Sequence, residues 1–170
     1  MKGIIYNRWC SLRRRVLSEK FKKEKLTYKD TTICEEWLNY QDFTKWFYEN
    51  WKSWMDSSWH LDKDILVKGN KHYSPETCAF VPHEINSLFM STKKIRGLYP
   101  IGVNKERDKF RVRIGGKRKH IGVFDTIEEA FQAYKTAKEK RIKEIADKWK
   151  PFIDNKVYEA MYNYIVEITD

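Results

Sequence analysis

An alternation of apolar and basic residues constrains the fold of this chain more than any other feature of its sequence. It lies in the stretch FRVRIGGKRKHIGVFDT, residues 110–126, where Arg111 and Arg113 alternate with apolar residues. This period of two is typical of a strand that has one apolar face and one basic face. Gly115 and Gly116 follow and tolerate the positive φ angles that a two-residue hairpin turn requires. The stretch therefore predicts a β-hairpin.

The second strand of this hairpin should follow the glycines directly. We expect Ile121 and Val123 on its apolar face, and Arg118 and His120 on its basic face. An earlier short strand at residues 101–103 is separated from the hairpin by a polar turn at residues 104–109. Together these segments predict a three-stranded antiparallel meander.

A helix should begin after the sheet. Thr126 and Glu129 have the spacing of a capping box, in which each side chain bonds a free backbone N–H at a helix start. Apolar residues then recur every three or four positions, at Ile127, Ala130, Phe131, Tyr134 and Ala137. This stripe is expected to pack on the apolar face of the sheet. The basic face would then be uncovered.

The charge of the chain is concentrated around these strands. Residues 93–120 contain eleven Lys or Arg residues against Glu106 and Asp108, a net charge of +9, whereas the whole chain has +10. Such runs are usually solvated surface. Because the charges separate onto one face with few compensating acids, we favour a nucleic-acid contact surface.

The order of these motifs resembles the APETALA-type DNA-binding domain of plant ethylene-response factors, which is also found fused to phage endonucleases. The resemblance is carried by Tyr99-Pro-Ile-Gly-Val103, the basic strands, Ile121-Gly-Val-Phe124 and the Ala-rich start of the helix. It covers about a quarter of the chain. It implies that the sheet, and not the helix, enters the major groove of double-stranded DNA.

The resemblance also implies which side chains approach DNA. These are Asn104, Arg107, Arg111, Arg113, Lys117, Arg118 and His120. Positions that carry tryptophan, acidic and arginine base contacts in the plant pattern are occupied here by His120, Arg113 and Gly115. The DNA sequence preference of the plant domains is therefore not carried over.

The composition indicates a folded protein without a membrane segment. Of its 170 residues, 41% are hydrophobic and seven are tryptophan. No apolar run is long enough to span a bilayer, and the start of the chain lacks the apolar region of a signal peptide. We expect a soluble, cytoplasmic protein. The three widely spaced cysteines form no zinc or disulfide pattern, so we expect reduced thiols.

Two helices are predicted in the N-terminal part. The apolar residues between Ile5 and Phe21 fit one helical stripe, with Arg13-Arg-Arg15 and the lysines of residues 20–25 mostly outside it. Those cations agree in sign with a DNA partner, but taken alone they indicate a solvated face. Trp37, Tyr40, Phe43 and Phe47 have the spacing of a second helix. Such an aromatic stripe is usually core.

The pattern of residues 59–89 predicts a strand, a loop, a second extended segment and a short helix. The His-Leu-Asp start and the Ser-Pro-Glu-Thr, Val-Pro and Asn residues that follow resemble the HNH nucleases of phages. Those enzymes use a ββα frame, in which a His activates water, an Asn orients that His, and nearby side chains hold a divalent ion. Combined with the downstream domain, this layout resembles a phage HNH-type homing endonuclease.

The resemblance implies a site whose residues can be named. His60 falls on the general-base position, Asn70 on the loop Asn, and Asn86 on a helix-borne metal ligand. Trp59 occupies the position where a metal ligand is expected, so Asp62 or Asp64 would supply the missing oxygen. Mg²⁺ needs only one or two carboxylates besides water and phosphate. The implied cofactor is Mg²⁺ or Mn²⁺.

Three interpretations stay open at this point. In the first, the chain is a metal-dependent DNA endonuclease. In the second, Asp62 and Asp64 are turn carboxylates, His60 and His72 are surface histidines, and the protein is an inactive DNA-binding or inhibitory module derived from such a nuclease. In the third and weakest, aromatic side chains stack on single strands or RNA. A small-molecule substrate is not expected.

The expected fold is α+β and consists of two small domains. The first, residues 1–92, combines N-terminal helices with an HNH-like ββα unit. A linker at residues 93–97 leads to the APETALA-like domain at 98–150, a three-stranded antiparallel sheet packed on one helix. A C-terminal helix is predicted at 151–170, with an apolar stripe from Ile153 to Ile168.

Overall fold

The computed structural model of the protein describes residues 1–89, 98–115 and 119–170. In chain order, its helices and strands are α1 (Lys2–Leu17), α2 (Glu19–Glu24), β1 (Thr32–Ile33), α3 (Tyr40–Asn50), β2 (His60–Asp62), β3 (His72–Tyr73), β4 (Ala79–Val81), α4 (His83–Leu88), β5 (Val103–Glu106), β6 (Lys109–Ile114), β7 (Lys119–Phe124), α5 (Ile127–Trp149) and α6 (Asn155–Tyr162). Mixed helices and strands with a three-stranded antiparallel sheet agree with the expected α+β class. Within the described residues, no helix is long and apolar enough to cross a membrane.

The chain divides into two compact units. The first contains Met1–Asn86 together with Phe152–Ala160, and the second contains Ser87–Pro151 together with Met161–Asp170. The predicted linker at residues 93–97 lies outside the described residues. The last helix, α6, is shorter than its predicted stripe, and Ile168 beyond it is 50% exposed.

The predicted first helix is broken into α1 and α2 at Ser18. This residue has an extended backbone, with φ −85° and ψ 108°, and its Oγ accepts a hydrogen bond from the backbone N–H of Phe21 at 3.2 Å. A serine in this position satisfies one of the free N–H groups at a helix start. The apolar periodicity continues across the break, which explains why it suggested one helix.

Aromatic side chains form the core of the first unit. Trp37, Phe43 and Phe47 are at most 1% exposed, which confirms that this stripe is core, although Trp37 lies in a short 3₁₀ turn before α3. Phe80 of β4 contacts the rings of Trp46, Phe47 and Trp51, with centroids 5.0–5.2 Å apart. These contacts fix β4 against α3.

The second unit is built on the antiparallel sheet β5–β6–β7. In its first hairpin, Asn104 pairs with Arg111 and Glu106 pairs with Lys109, so that only Arg107 and Asp108 form the turn. The predicted turn at residues 104–109 is therefore too long. Arg107 has φ +56°, a left-handed conformation that a tight hairpin requires at a turn position.

The second hairpin also differs from the predicted one. Ile114 pairs with Lys119, so four residues separate the paired ends instead of two. Gly115 begins this connection with φ +77°. The predicted partner glycine, Gly116, lies outside the described residues.

A bulge in β7 changes which side chains share a face. Val112 pairs with Gly122, but Arg113 pairs with His120, which leaves Ile121 as an extra residue. Beyond the bulge, Val123 pairs with Arg111 and is 46% exposed. The prediction that Val123 faces the core is therefore wrong, because one extra residue reverses the alternation of a strand.

Helix α5 begins as its sequence predicts. The Thr126 hydroxyl accepts a hydrogen bond from the Glu129 backbone N–H, and the Glu129 carboxylate accepts one from the Thr126 backbone N–H, which confirms the capping box. Ala130 and Tyr134 are at most 4% exposed and lie on the helix that packs against the sheet. Apolar burial against α5 thus occupies one face of the sheet.

Substitution at Gly102 should disrupt this packing. Gly102 has φ +75°, and an added Cβ would collide with the Tyr134 ring and lie 2.8 Å from the Arg113 carbonyl oxygen. We expect Gly102→Ala to lower the free energy of unfolding by about 2 kcal/mol or more, because backbone strain and overpacking both contribute. Urea denaturation followed by circular dichroism measures this loss.

Gly69 provides a matched control. It has φ +78°, but an added Cβ would meet no atom within 4 Å. Gly69→Ala should therefore cost only the backbone strain, about 1 kcal/mol. Equal losses in the two variants would contradict a close contact between Gly102 and Tyr134.

Candidate functional site

Side chains on one face of the sheet make up the first candidate site. Alternation and register place the following residues on this face, which we call the outer sheet face: Asn104, Glu106, Lys109, Arg111, Arg113, His120 and Val123. Val103 and Val112, which pair on the opposite face, are at most 5% exposed. The strands therefore separate a buried apolar face from a polar one that carries Lys109, Arg111 and Arg113.

The cations of the outer sheet face are partly compensated. The guanidinium of Arg111 forms an ion pair with the Glu106 carboxylate across the hairpin. Lys109 pairs with Asp125 at 2.9 Å, although both side chains are more than half exposed. Exposed pairs of this kind contribute little to stability, so their cations can be transferred to a phosphate at low cost.

The remaining predicted DNA contacts have different positions. Asn104 lies on β5 directly opposite Arg111, and His120 lies opposite Arg113. Arg107 is exposed at the tip of the first hairpin. Lys117 and Arg118 lie outside the described residues. The structure thus brings four of the seven predicted contacts onto one face, and it places Arg107 at the edge of that face.

The second candidate site lies in the first unit, where a pair of strands is followed by a helix. Strand β2 pairs antiparallel with β4, and α4 begins two residues after β4 ends. Leu61 of β2 pairs with Phe80 and is buried with it in the aromatic core. Because side chains alternate along a strand, His60 and Asp62 lie together on the opposite face.

His60 contacts a second histidine that the sequence reasoning did not identify. Nε2 of His60 and Nδ1 of His83, the first residue of α4, are 3.1 Å apart, which is a hydrogen bond between one donor and one acceptor nitrogen. Burial lowers the pKa of His60, and electrostatic interactions with Arg8, His83 and Arg15 lower it further. A neutral imidazole is the form that accepts a proton from water.

Arginine side chains from α1 border the same strand. Arg8 donates hydrogen bonds to the carbonyl oxygens of Ser57, at 2.7 Å, and of Trp59. Arg15, two helical turns further along α1, bonds the hydroxyl of Tyr73 at 3.4 Å. Helix α1 therefore places positive charge at the start of β2, next to His60.

Asp62 ends β2 and organises the turn that follows. Its Oδ1 accepts hydrogen bonds from the backbone N–H groups of Asp64, at 3.0 Å, and Ile65, at 2.8 Å. Burial raises the pKa of Asp62 to about 6, with a further contribution from the charge of Asp64. Burial therefore disfavours the charged form of the Asp62 carboxyl. A nearby cation would stabilise that form.

The other predicted site residues have structural contacts. The Asn70 amide donates to the carbonyl oxygens of Lys63 and His72, at 2.6 and 2.7 Å, and its oxygen accepts from the His72 N–H. Asp64 pairs with Lys63 at 3.1 Å. Asn86 lies one turn into α4 and is partly exposed. The ring that contacts His60 is that of His83, so a role for Asn70 in orienting His60 stays a prediction.

The donor set bears on the implied metal. Across residues 1–89, 98–115 and 119–170, no group of three or more His, Cys, Asp or Glu side chains is arranged to hold an ion. Asp62 has a carboxyl group whose charged form is disfavoured by burial. Mg²⁺ and Mn²⁺ keep several waters and can bind through one or two carboxylates, so a metal at Asp62 stays a prediction.

Two residues of this site were missed because their roles depend on chain pairing. His83 follows Pro82 directly, and only the register of β2 with β4, in which His60 pairs with Val81, brings it beside His60. Arg8 lies within the predicted first helix, and the periodicity of that helix does not indicate its contact with Trp59. A histidine just after the second strand of a ββ pair is a pattern that could have identified His83.

Comparisons of this chain with family models, with curated proteins and with solved structures found no match. The functional argument therefore depends on the two sites themselves.

Asp62→Asn should change how stability depends on pH. Because the folded-state pKa is raised from the ordinary 3.8 to about 6, the folded protein binds more protons than the unfolded chain between these values. Wild-type stability should therefore fall as pH rises from about 4 to about 6, by about 1–2 kcal/mol after discounting for solvent screening. The asparagine variant keeps an oxygen acceptor for the turn and should lack this fall.

Urea denaturation at pH 4, 5, 6 and 7 measures the difference between the two proteins. Asp64→Asn serves as the comparison and should remove part of the fall, because the Asp64 charge is the second cause of the shift. Parallel stability curves for wild type and Asp62→Asn would show that the Asp62 carboxylate ionises without cost in the folded protein.

Proposed function

We propose that this protein binds double-stranded DNA through the outer sheet face and is an HNH-like endonuclease that cleaves DNA at the site around His60. The observation that carries the proposal is the segregation of the sheet. One face is buried against α5, and the other presents Arg111, Arg113, Asn104 and His120 side by side. The APETALA-like motifs that suggested this use of the sheet lie in the same strands.

The chemistry of the outer sheet face suits a DNA groove. Arginine binds the O6 and N7 acceptors of guanine with two parallel hydrogen bonds, and asparagine binds adenine in the same manner. Arg113 and Asn104 lie on adjacent strands, and an antiparallel ribbon fits the width of the major groove. Arg107, at the hairpin tip, is placed to contact a phosphate.

Cleavage is supported by the arrangement around His60. The imidazole has a lowered pKa and is held by His83, so it is available as a general base toward water. Mg²⁺ or Mn²⁺ held by Asp62, with Asp64 and Asn86 as the further candidate ligands, would stabilise the charge that develops on a phosphate. Arg8 and Arg15 are close enough to His60 to lower its pKa, and their positive charge would attract an anionic substrate.

One observation favours a second function. Trp59 stands where a metal ligand is expected and is 4% exposed, so its indole belongs to the core. A protein that retained the ββα frame but lost its metal would be a DNA-binding or inhibitory module of phage type. It would bind the same duplex without cutting it.

Substitutions on the outer sheet face should weaken duplex binding. We expect Arg111→Ala and Arg113→Ala each to lose about 1–3 kcal/mol of binding free energy if the arginines contact bases. Lys105→Ala is the matched control, because Lys105 lies on β5 but pairs with Phe110 on the opposite face. Fluorescence anisotropy with a set of labelled duplexes measures these affinities.

The logarithm of the wild-type affinity should also fall linearly with the logarithm of salt concentration, since phosphate contacts release counterions. Duplex affinities that stay unchanged in both arginine variants would reject the outer sheet face as the DNA contact.

Removing His60 should separate cleavage from binding. With Mg²⁺ or Mn²⁺ present, His60→Ala should abolish nicking of a bound duplex and leave the affinity nearly unchanged, because the outer sheet face is intact. The double variant Asp62→Asn/Asp64→Asn should match this loss. His72→Ala is the control, since the His72 ring bonds Thr32 at 2.8 Å instead of joining the His60 pair.

A gel assay for nicked plasmid, with binding measured on the same preparations, reads both effects. A wild-type protein that binds its duplex tightly in Mn²⁺ and never nicks it would reject the endonuclease and support the inactive module.

A further inference from the structure

Three consecutive arginines of α1 each stack on an aromatic ring. The three pairs, with the distance from the guanidinium carbon to the ring centroid, are Arg13 over Trp9 at 4.6 Å, Arg14 over Phe21 at 4.7 Å and Arg15 over Tyr28 at 5.6 Å. The rings come from α1, from α2 and from the turn after α2. The three guanidinium groups therefore lie over three different rings.

The rings themselves are held in place. The indole N–H of Trp9 donates a hydrogen bond to the Trp37 carbonyl oxygen at 2.9 Å, and Tyr40 packs edge-on against the same ring. The ring of Phe21 packs on that of Tyr28, with centroids 5.5 Å apart. A guanidinium stacked on a fixed ring loses less freedom when it binds a ligand than one on a free side chain.

Stacking occupies the face of a guanidinium and leaves the N–H groups at its edge. Arg13 and Arg14 are exposed, and within the part of the chain that the structure describes neither forms an ion pair. Arg15 differs, because it is partly buried and donates to the Tyr73 hydroxyl. Arg13 and Arg14 thus present oriented donors that lack an anion.

Lysines of α2 extend this charge. Residues 2–25 contain nine Lys or Arg residues against Glu19 and Glu24, a net charge of +7. Of these, Lys20, Lys22 and Lys23 lie on α2, directly after the stacked arginines. Planar guanidinium edges match the paired oxygens of a phosphate, and the lysines add point charges beside them.

We infer that Arg13, Arg14 and the lysines of α2 form a second DNA contact surface, which binds phosphates of the duplex backbone. This inference rests on the proposed function, since the occupant is the same class of duplex that the outer sheet face binds. The contact carries no base specificity, because its donors are matched to phosphate. Each of the two units then contributes cations to DNA affinity.

Salt dependence provides a quantitative test. Each lost phosphate contact lowers the slope of log affinity against log salt by about 0.9 for duplex DNA. Arg13→Gln/Arg14→Gln should therefore reduce the slope by about 1.8 and weaken binding at every salt concentration. The reduction should be the same on duplexes of unrelated sequence.

The control variant changes net charge by the same amount elsewhere. Lys140→Gln/Lys143→Gln removes two exposed cations of α5, the helix that covers the opposite face of the sheet. It should leave the slope unchanged, which separates a local contact from a general effect of net charge. Thermal melting by circular dichroism checks that both double variants fold as the wild type does.

The outcomes distinguish this inference from the proposed function. Wild-type duplex binding with a slope that Arg13→Gln/Arg14→Gln does not alter would overturn the second surface and leave the outer sheet face in place. Equal slope changes in the two double variants would also overturn it. A slope change confined to single-stranded RNA would assign the arginines to a different partner and reject the inference. Absence of any salt-dependent binding of duplex DNA by the wild type would remove the proposed function itself.

Discussion

The contact between the sheet and α5 determines what the second unit can present to a partner. Val112, Ala130 and Tyr134 are buried in this contact, and the Tyr134 ring leaves no room for a Cβ at Gly102. Because strand side chains alternate, fixing one face in the core fixes the other face in solvent. The basic residues face away from the core as a consequence of apolar packing, and their order along the strands determines the geometry of the surface.

In the first unit, an aromatic core likewise determines which side chains lie on the other face of a strand. Phe80 is held by three rings, and its strand partner Leu61 is buried with it. This places His60 and Asp62 on the other face of β2, where burial and the charges of α1 lower the pKa of the histidine and burial raises that of the carboxylate. Shifts away from ordinary values are common where chemistry occurs, and here they have a packing origin.

Much of the second unit could be predicted from its sequence, because its determinants are local. The alternation of β6 and the capping box at Thr126 depend on residues a few positions apart. The bulge at Ile121 could not be predicted, since it depends on how β7 pairs with β6, and it moved Val123 to the outer sheet face. The predicted turn lengths were wrong for the same reason, because Asn104 is paired in β5.

The first unit was harder to predict because its contacts join distant segments. His60 was identified by motif, but its partner His83 is 23 residues away and is placed only by the pairing of β2 with β4. Arg8 reaches the carbonyl oxygen of Trp59 from a helix near the start of the chain. Long-range hydrogen bonds of this kind leave no periodic pattern in a sequence.

The central claim is that the outer sheet face binds double-stranded DNA, and side-chain NMR tests it most directly. Titration of the labelled protein with a duplex should shift and broaden the Nε–H signals of Arg111 and Arg113 and the ring signals of His120. The indole N–H signal of Trp51, in the aromatic core of the first unit, should remain unchanged and serves as the internal reference. A duplex that binds while the signals of Arg111, Arg113 and His120 keep their free positions would contradict the account.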